Sequence, residues 1–368
     1  MITVVSVVGA RPQFVKASAV SREIALRRRW REVLVHTGQH FDDAMSAVFL
    51  RDFDLRPAYE LGVGGSTQAQ MTAQILERLE PVLERERPAA MIVYGDTTTT
   101  LAGALTAVKL NIPVVHVEAG LRSFNRTMPE EINRVVTDHM SSVLCCPTDN
   151  AVRNLEREGF AVTAGASPCV ANVGDVMLDV MLRSRAAAAS SDVLERLALQ
   201  PGQYGVLTIH RAETVTRIDL LATVLSEAAR LARVIPLVFV VHPRTRTAIA
   251  SAVDGPVGAA MRRLRVVEPL PYLDFVSLQS NAAVIVTDSG GVQKEALFLG
   301  VPCVTVRNET EWPETVDAGM NVLAGSPPLD LVAAVEGVRD RRLASTQPFG
   351  CGDAASRIVS LMETWLAQ

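Results

Sequence analysis

Three short strings in this chain set carboxylates and arginines beside small residues. They read Tyr94-Gly95-Asp96-Thr97-Thr98-Thr99-Thr100, Val117-Glu118-Ala119-Gly120-Leu121-Arg122 and Pro129-Glu130-Glu131-Ile132-Asn133-Arg134. The first two follow apolar runs, residues 89–93 and 112–117. An apolar run that ends on a carboxylate reads as a buried strand delivering that group to its C-terminal edge, where open α/β sheets bind ligands. Asp96, Glu118 and Glu130 therefore form a candidate acid/base set, because carboxylates buried near one another acquire shifted pKa values and exchange protons. Plainer roles stand beside this one. Asp96, or the threonines after it, could cap the helix that follows, and Glu130 with Arg134 is a helix ion pair by spacing.

A second group lies in the C-terminal half, where strand-like runs end on His210, His242, Asp288 and Arg307. The string Asp288-Ser289-Gly290-Gly291-Val292-Gln293-Lys294-Glu295 opens a helix. Its glycines admit a ligand close to the backbone, and its free N–H groups and dipole favour an anion, most simply a diphosphate. Glu295, about one turn in, is placed to accept hydrogen bonds from sugar hydroxyls. An ordinary strand–helix turn with glycine for packing is the alternative. The string is not a Walker A motif, and no G-x-G-x-x-G follows the first strand, which weighs against a nicotinamide cofactor. His210 and His242 each lie beside arginines, and no H-x-x-H or H-E-x-x-H spacing suggests a metal. Near the N-terminus, Lys16 falls in the first turn of a helix, with Arg11 in the turn just before it. The helix dipole disfavours cations there, so a bound anion is expected to supply the missing negative charge.

These side chains need a scaffold of alternating strands and helices. Strands are expected over residues 2–8, 32–37, 89–94, 113–118, 143–146 and 169–173, and helices over 13–26, 42–52, 98–110, 130–140, 150–158 and 175–189. A further long helix, capped by Ser66 after the glycines at 62, 64 and 65, runs to 86 with a possible disturbance at Pro81. The pattern lapses around residues 190–202. It restarts with strands over 204–209, 236–241, 264–267, 282–287 and 302–306 and a last helix over 353–366. This rhythm indicates an α/β protein with two Rossmann-like domains built on mostly parallel, doubly wound sheets. The domains are expected at 1–190 and 191–352, with the last helix packing back on the first. Candidate residues at strand ends in both halves suggest a site in a cleft between them.

Bulk composition fits that scheme. At 368 residues the chain is long for one domain, and 48% hydrophobic content suffices for two cores. A formal charge of −4 argues against a nucleic-acid binder. Of five cysteines, with no C-x-x-C pair, Cys145, Cys146, Cys169 and Cys303 sit in or beside apolar runs and read as buried free thiols. The apolar stretch at residues 1–8 is short, lacks a basic flank and is interrupted by Arg11-Pro12, so it reads as a strand and not a signal peptide. No run of 18 uninterrupted apolar residues occurs. A soluble, cytoplasmic protein without membrane contact is the expectation.

Taken together, the ordered strings resemble the non-hydrolysing UDP-N-acetylglucosamine 2-epimerases over nearly the whole chain. The resemblance runs from Gly9-Ala10-Arg11-Pro12 and Gly38-Gln39-His40 through the three strings above and Asn172-Val173-Gly174-Asp175. It continues through His210-Arg211-Ala212-Glu213, His242-Pro243, Asp288-Ser289-Gly290-Gly291 and Thr310-Glu311. It implies a glycosyltransferase-B-like fold and C2 epimerisation of UDP-N-acetylglucosamine to UDP-N-acetylmannosamine. UDP is eliminated, 2-acetamidoglucal is held, and UDP adds back. By motif match Asp96, Glu118, Glu130 and His210 are the catalytic candidates. Arg11, Lys16, Arg134, His242, Ser289, Gly290, Gly291, Glu295 and Arg307 would bind substrate. The resemblance implies no cofactor and no metal, UDP-sugar and UDP as partners, and a homodimer.

The chain departs from that family at Gln39-His40-Phe41-Asp42-Asp43-Ala44-Met45 and at Ala212. Arginines of the substrate-activated members are missing there, which argues against activation by substrate. Trp312, in Glu311-Trp312-Pro313-Glu314, together with Ser289-Gly290-Gly291-Val292-Gln293-Lys294-Glu295 resembles the branch acting on UDP-2,3-diacetamido-2,3-dideoxy-glucuronic acid, the alternative substrate. A hydrolysing epimerase, a glycosyltransferase on the same fold and a non-enzymatic nucleotide-binding module are further alternatives.

Overall fold

The computed structural model describes residues 1–39, 50–65, 67–163, 165–252, 255–325, 328–341, 343 and 348–367. Two compact units emerge, Met1–Val180 with Gln347–Gln368, and Met181–Thr346.

The first unit is built on a seven-stranded sheet: β1 (Ile2–Val8), β2 (Trp30–His36), β3 (Tyr59–Glu60), β4 (Ala90–Tyr94), β5 (Val114–Val117), β6 (Val143–Cys146) and β7 (Cys169–Asn172). All pairings are parallel, in the order β3-β2-β1-β4-β5-β6-β7. Val4, Val5, Val7 and Val8 of β1 are fully buried. That is why this strand reads as a continuous valine-rich run and not as an alternation. Each such side chain contributes roughly 1.5–2 kcal/mol of burial.

Helices α1 (Arg11–Arg27), α2 (Gln68–Glu86), α3 (Thr98–Lys109), α4 (Pro129–Met140) and α5 (Asp149–Arg157) connect these strands. Ile75, Leu79 and Leu83 of α2 pack with Ala102 and Ala104 of α3 over Val5, Val7, Val35, Met91 and Val93 of the sheet. Helix α2 passes through Pro81 without a break. Thr67 is its observed cap, accepting from Gln70 N at 3.3 Å, while Ser66 lies outside the described residues. Most of the helix expected over 42–52 also lies outside them, as does His40. The last helix, Ala354–Leu366, is held to α1 by Arg27, which donates to Glu363 Oε2 at 2.9 Å and Ser356 O at 2.8 Å.

Helix α6 (Val176–Ala188) carries the chain out of this unit, and the division falls inside it, ahead of the expected boundary at residue 190. The compositional lapse there marks the end of a helix that serves both units.

The second unit repeats the plan with β8 (Gly205–Thr208), β9 (Leu237–Val240), β10 (Arg265–Val267), β11 (Val284–Thr287), β12 (Cys303–Thr305) and β13 (Asn321–Leu323). Their order is β10-β9-β8-β11-β12-β13, again with every pairing parallel. Alternate residues feed opposite faces. Val284 and Val286 pack with Leu225 of α7 (Ile218–Leu231), and Ile285 faces Leu278 and Ala296. Relative to its own chain order, the first sheet reads 3-2-1-4-5-6-7 and the second 3-2-1-4-5-6, so each has a topological switch point between its first and fourth strands.

Cys145, Cys146 and Cys303 are buried free thiols, whereas Cys169 is half-buried and Cys351 exposed. Burial pushes the Cys303 thiol up to about 12. Among the described residues no helix is long and apolar enough to cross a membrane.

Gly120 follows β5 with φ +79°, and a Cβ there would lie 2.4 Å from the carbonyl oxygen of Ala151 on α5. Gly120→Ala is therefore expected to cost roughly 2–3 kcal/mol, from backbone strain plus overpacking. Urea denaturation measures this, and an unchanged midpoint would contradict the close approach.

Candidate active site

At the switch point of the first sheet, β1 ends at Val8 and β4 at Tyr94. The turn after β4 is Gly95-Asp96, with Gly95 at φ +65°. Gly95 N donates to Val117 O at 2.9 Å, which ties the turn to β5. Thr97 caps α3, its hydroxyl accepting from Thr100 N at 3.3 Å. Asp96 is thereby released from the capping role that spacing also allowed. Its carboxylate meets Arg134 Nη2 of α4 instead, with about 29% of the side chain exposed. Asn133 Nδ2 donates to Asp96 O at 2.9 Å.

Glu118 is the first residue past β5 and adopts φ +74°, a conformation uncommon for a side-chain-bearing residue. Its carboxylate forms an ion pair with Lys16 Nζ, both side chains being less than a tenth exposed. The partner expected beside Lys16 was a bound anion. The negative charge there comes from Glu118, which sequence separation concealed. A Cβ on Gly95 would lie 3.1 Å from Glu118 Oε2 and 3.2 Å from Lys16 Nζ. The pair therefore rests directly against the turn that carries Asp96, and glycine is the residue that leaves it room.

The third carboxylate differs from expectation. Glu130 is exposed, and Glu131 is the buried one. Glu131 accepts from Ser123 N at 2.9 Å and Phe124 N at 2.8 Å, and pairs with Arg134 Nη1 at 3.0 Å. Among the ion pairs resolved for Arg134, the helix partner is thus at i, i+3 and not i, i+4. With two adjacent acids in one turn, spacing alone does not say which faces inward. Arg11 opens α1, half-buried. Gln13 fixes the β1–α1 turn, its Oε1 accepting from Gly9 N at 2.8 Å and its Nε2 donating to Tyr94 O at 2.9 Å.

The second unit places its candidates at the equivalent switch point, between β8 and β11. Asp288 is fully buried and accepts from His210 N at 3.0 Å and Arg211 N at 2.9 Å. Burial alone would raise this carboxyl, but the His210 ring and these backbone N–H groups hold it below the usual range. His210 Nδ1 is 3.3 Å from Asp288 Oδ1, with 34% of the side chain exposed. Its ring lies 5.4 Å, centroid to centroid, from that of His242. His242 caps α8 (Pro243–Ala250), Nδ1 accepting from Arg244 N at 3.2 Å.

Ser289 caps α10 (Gly290–Leu299), so Gly290 and Gly291 form its first turn. Trp312 lies against that turn, its Nε1 3.2 Å from where a Gly290 Cβ would sit. Lys294 Nζ stands 3.8 Å above the same ring. Arg307 is buried and bonds Glu311 at 2.8 and 3.2 Å, while Arg211 reaches Glu311 at 3.2 Å. Burial would raise the Glu311 carboxyl, but these two guanidiniums bring it down to about 2.

Glu295 was expected to face sugar hydroxyls. Only 7% of it is exposed, and Oε2 accepts from Gln279 Nε2 of α9 (Tyr272–Ser280) at 2.9 Å. Burial lifts its carboxyl to about 7, with Gln279 and Lys294 pulling the other way. Among the described residues no group of three or more His, Cys, Asp or Glu side chains is arranged to hold a metal ion.

The family model described as UDP-N-acetylglucosamine 2-epimerase matches residues 22–363. A Pseudomonas aeruginosa protein named UDP-2,3-diacetamido-2,3-dideoxy-D-glucuronate 2-epimerase is 43% identical over 98% of this chain and 99% of its own length. A UDP-N-acetylglucosamine 2-epimerase of Methanocaldococcus jannaschii is 38% identical over 97% of each chain. The crystal structure of a UDP-GlcNAc 2-epimerase from Methanocaldococcus jannaschii, in complex with UDP-GlcNAc and UDP, superposes with a TM-score of 0.90 at 37% identity. That match covers 99% of this chain and 100% of the other.

Two measurements probe the charges. Lys16→Met strands the buried Glu118 carboxylate and is expected to cost roughly 3 kcal/mol in urea unfolding. Adding Glu118→Gln should recover most of that loss, and additive costs would show the two groups to be uncoupled. Glu295 binds its proton more tightly in the folded than in the unfolded chain. Its stabilising contribution is therefore full below the unfolded value of 4.5 and is lost as pH rises toward about 7. Glu295→Gln should flatten that part of the stability profile, and a slope identical to the parent's would refute the assignment.

Proposed function

Because this chain belongs to the UDP-N-acetylglucosamine 2-epimerase family, whose members are isomerases, we propose that it inverts C2 of UDP-N-acetylglucosamine to give UDP-N-acetylmannosamine without hydrolysis. The C2 proton of such a sugar lies beside no carbonyl and is not acidic. The route proposed is elimination. A carboxylate takes the C2 proton, the C–H electrons form the C1–C2 double bond, and the C1–O pair leaves with UDP. Re-addition of UDP, with a proton delivered to the opposite face of C2, gives the epimer.

The observation that carries this reading is the meeting of Asp96, Arg134, Glu118 and Lys16 around Gly95 at a switch point of the first sheet. Two carboxylates at one turn are the candidates for proton removal and return. Glu130, with its exposed carboxylate, is the third candidate for proton transfer. In the second unit His210 and His242, the Ser289-Gly290-Gly291 turn and Arg307 are assigned to the nucleotide and its departing diphosphate, together with Arg11 of the first, while Lys16 serves Glu118. Glu295 supports that turn from within α10.

A second reading is epimerisation of UDP-2,3-diacetamido-2,3-dideoxy-glucuronic acid. The 43% identity to a relative of that name favours it. Incubating the protein with each UDP-sugar in heavy water, followed by NMR, separates the two. Deuterium is expected at C2 of the product from the true substrate, with no added cofactor. Product lacking deuterium would sink the elimination route, and free N-acetylmannosamine would identify a hydrolysing enzyme. Asp96→Asn, Glu118→Gln and His210→Ala are each expected to keep the circular dichroism of the parent and lose at least about a hundredfold in kcat. Near-normal turnover strikes that residue from the catalytic set.

A further inference from the structure

His116 sits in the middle of β5, fully buried between Val115 and Val117. A histidine on a central strand is ordinarily a satisfied core group. This one joins two functional segments. Its Nε2 lies 2.7 Å from Gly95 O, and its Nδ1 lies 2.7 Å from Asp138 Oδ1 on α4. Gly95 O is only an acceptor, so Nε2 carries the hydrogen of that bond.

Asp138 is anchored in turn. Its Oδ2 accepts from Gly120 N at 3.1 Å and from Arg122 Nη1 at 2.7 Å. Arg122 also binds Glu158 through Nε and Nη2, at 2.6 and 2.7 Å. Burial would raise the Asp138 carboxyl, yet His116 and Arg122 hold it below the usual range, so it stays ionised beside the ring.

The Gly95 carbonyl and the Asp96 N–H belong to one peptide plane. Gly95 has no Cβ and sits at φ +65°, so its own sterics do not select one orientation of that plane. The bond from His116 does, and through it the backbone that aims the Asp96 carboxylate is set. Its neighbours are held separately, Tyr94 O by Gln13 and Thr100, and Asp96 O by Asn133.

We propose that His116 is a positioning residue for proton transfer, orienting the Gly95–Asp96 peptide through its bond to the Gly95 carbonyl. The inference rests on the reading of Asp96 as a proton-transfer carboxylate.

Two conservative replacements test it. In His116→Gln the side-chain amide can still donate from the place of Nε2 to Gly95 O. In His116→Asn the amide mimics Nδ1, toward Asp138, and falls short of the carbonyl. Both remove the ring. His116→Asn is expected to lose about thirtyfold or more in kcat on the preferred UDP-sugar, with KM within about threefold, since misplacing a reacting group acts on the chemical step. His116→Gln should exceed it in kcat by at least about tenfold. A smaller separation, or a loss confined to KM, overturns the proposal. Amide exchange of Gly95 N–H followed by NMR gives an independent readout, because that N–H bonds to Val117 O across the same turn. Faster exchange in His116→Asn than in His116→Gln is expected, and equal rates overturn the claim. Should the parent protein epimerise no UDP-sugar, the functional reading fails, and the exchange rates still decide whether His116 holds the turn.

Discussion

Three successive carbonyls, those of Tyr94, Gly95 and Asp96, are each gripped by a side chain from elsewhere in the fold. Gln13 and Thr100 hold the first, His116 the second and Asn133 the third. A turn next to a glycine is soft on its own, and four separate bonds make it rigid. The Lys16–Glu118 pair then closes against it in space left by the missing Cβ of Gly95. The placement of Asp96 and Glu118 depends on that rigidity.

Both units deploy the same physical device at the same topological place. In each, the strand order reverses beside the first strand, and backbone groups at the C-terminal strand ends are left for side chains to bind. The first unit uses Gln13 to draw the Gly9 and Ala10 N–H groups toward Tyr94. In the second, the buried Asp288 carboxylate collects the N–H groups of His210 and Arg211. Asp288 is thus consumed in aiming His210. Arg307 and Arg211, by converging on Glu311, give the loop before Trp312 a charge-paired base. Trp312 itself covers Gly290.

Much of this plan was legible before folding. Apolar runs ending at or just before Asp96, Glu118, His210 and Asp288 located the principal strands and the edges that carry the site candidates, because parallel strands buried on both faces leave a clear apolar signature. Edge strands β3 and β13 carry no such signature and were not anticipated. Adjacent residues blurred other assignments. Glu130 and Glu131 share one helical turn, and only packing of α4 decides that Glu131 turns inward. Asp96 and Thr97 were both acceptable caps, and the Arg134 guanidinium draws Asp96 away from that role. The end of α6 resembled a domain boundary because small and polar residues mark helix ends and linkers alike.

Residue types, their order and their periodicity therefore determined the fold class, the family and the identity of most site candidates, since local sterics and burial write those features into the chain itself. Tertiary structure alone decided the partners: Lys16 with Glu118, Asp96 with Arg134, and His116 with Gly95 and Asp138. These bonds join positions that only the sheet order brings within hydrogen-bonding range. A buried charge or carbonyl selects its partner by distance and desolvation, neither of which exists until the strands have paired.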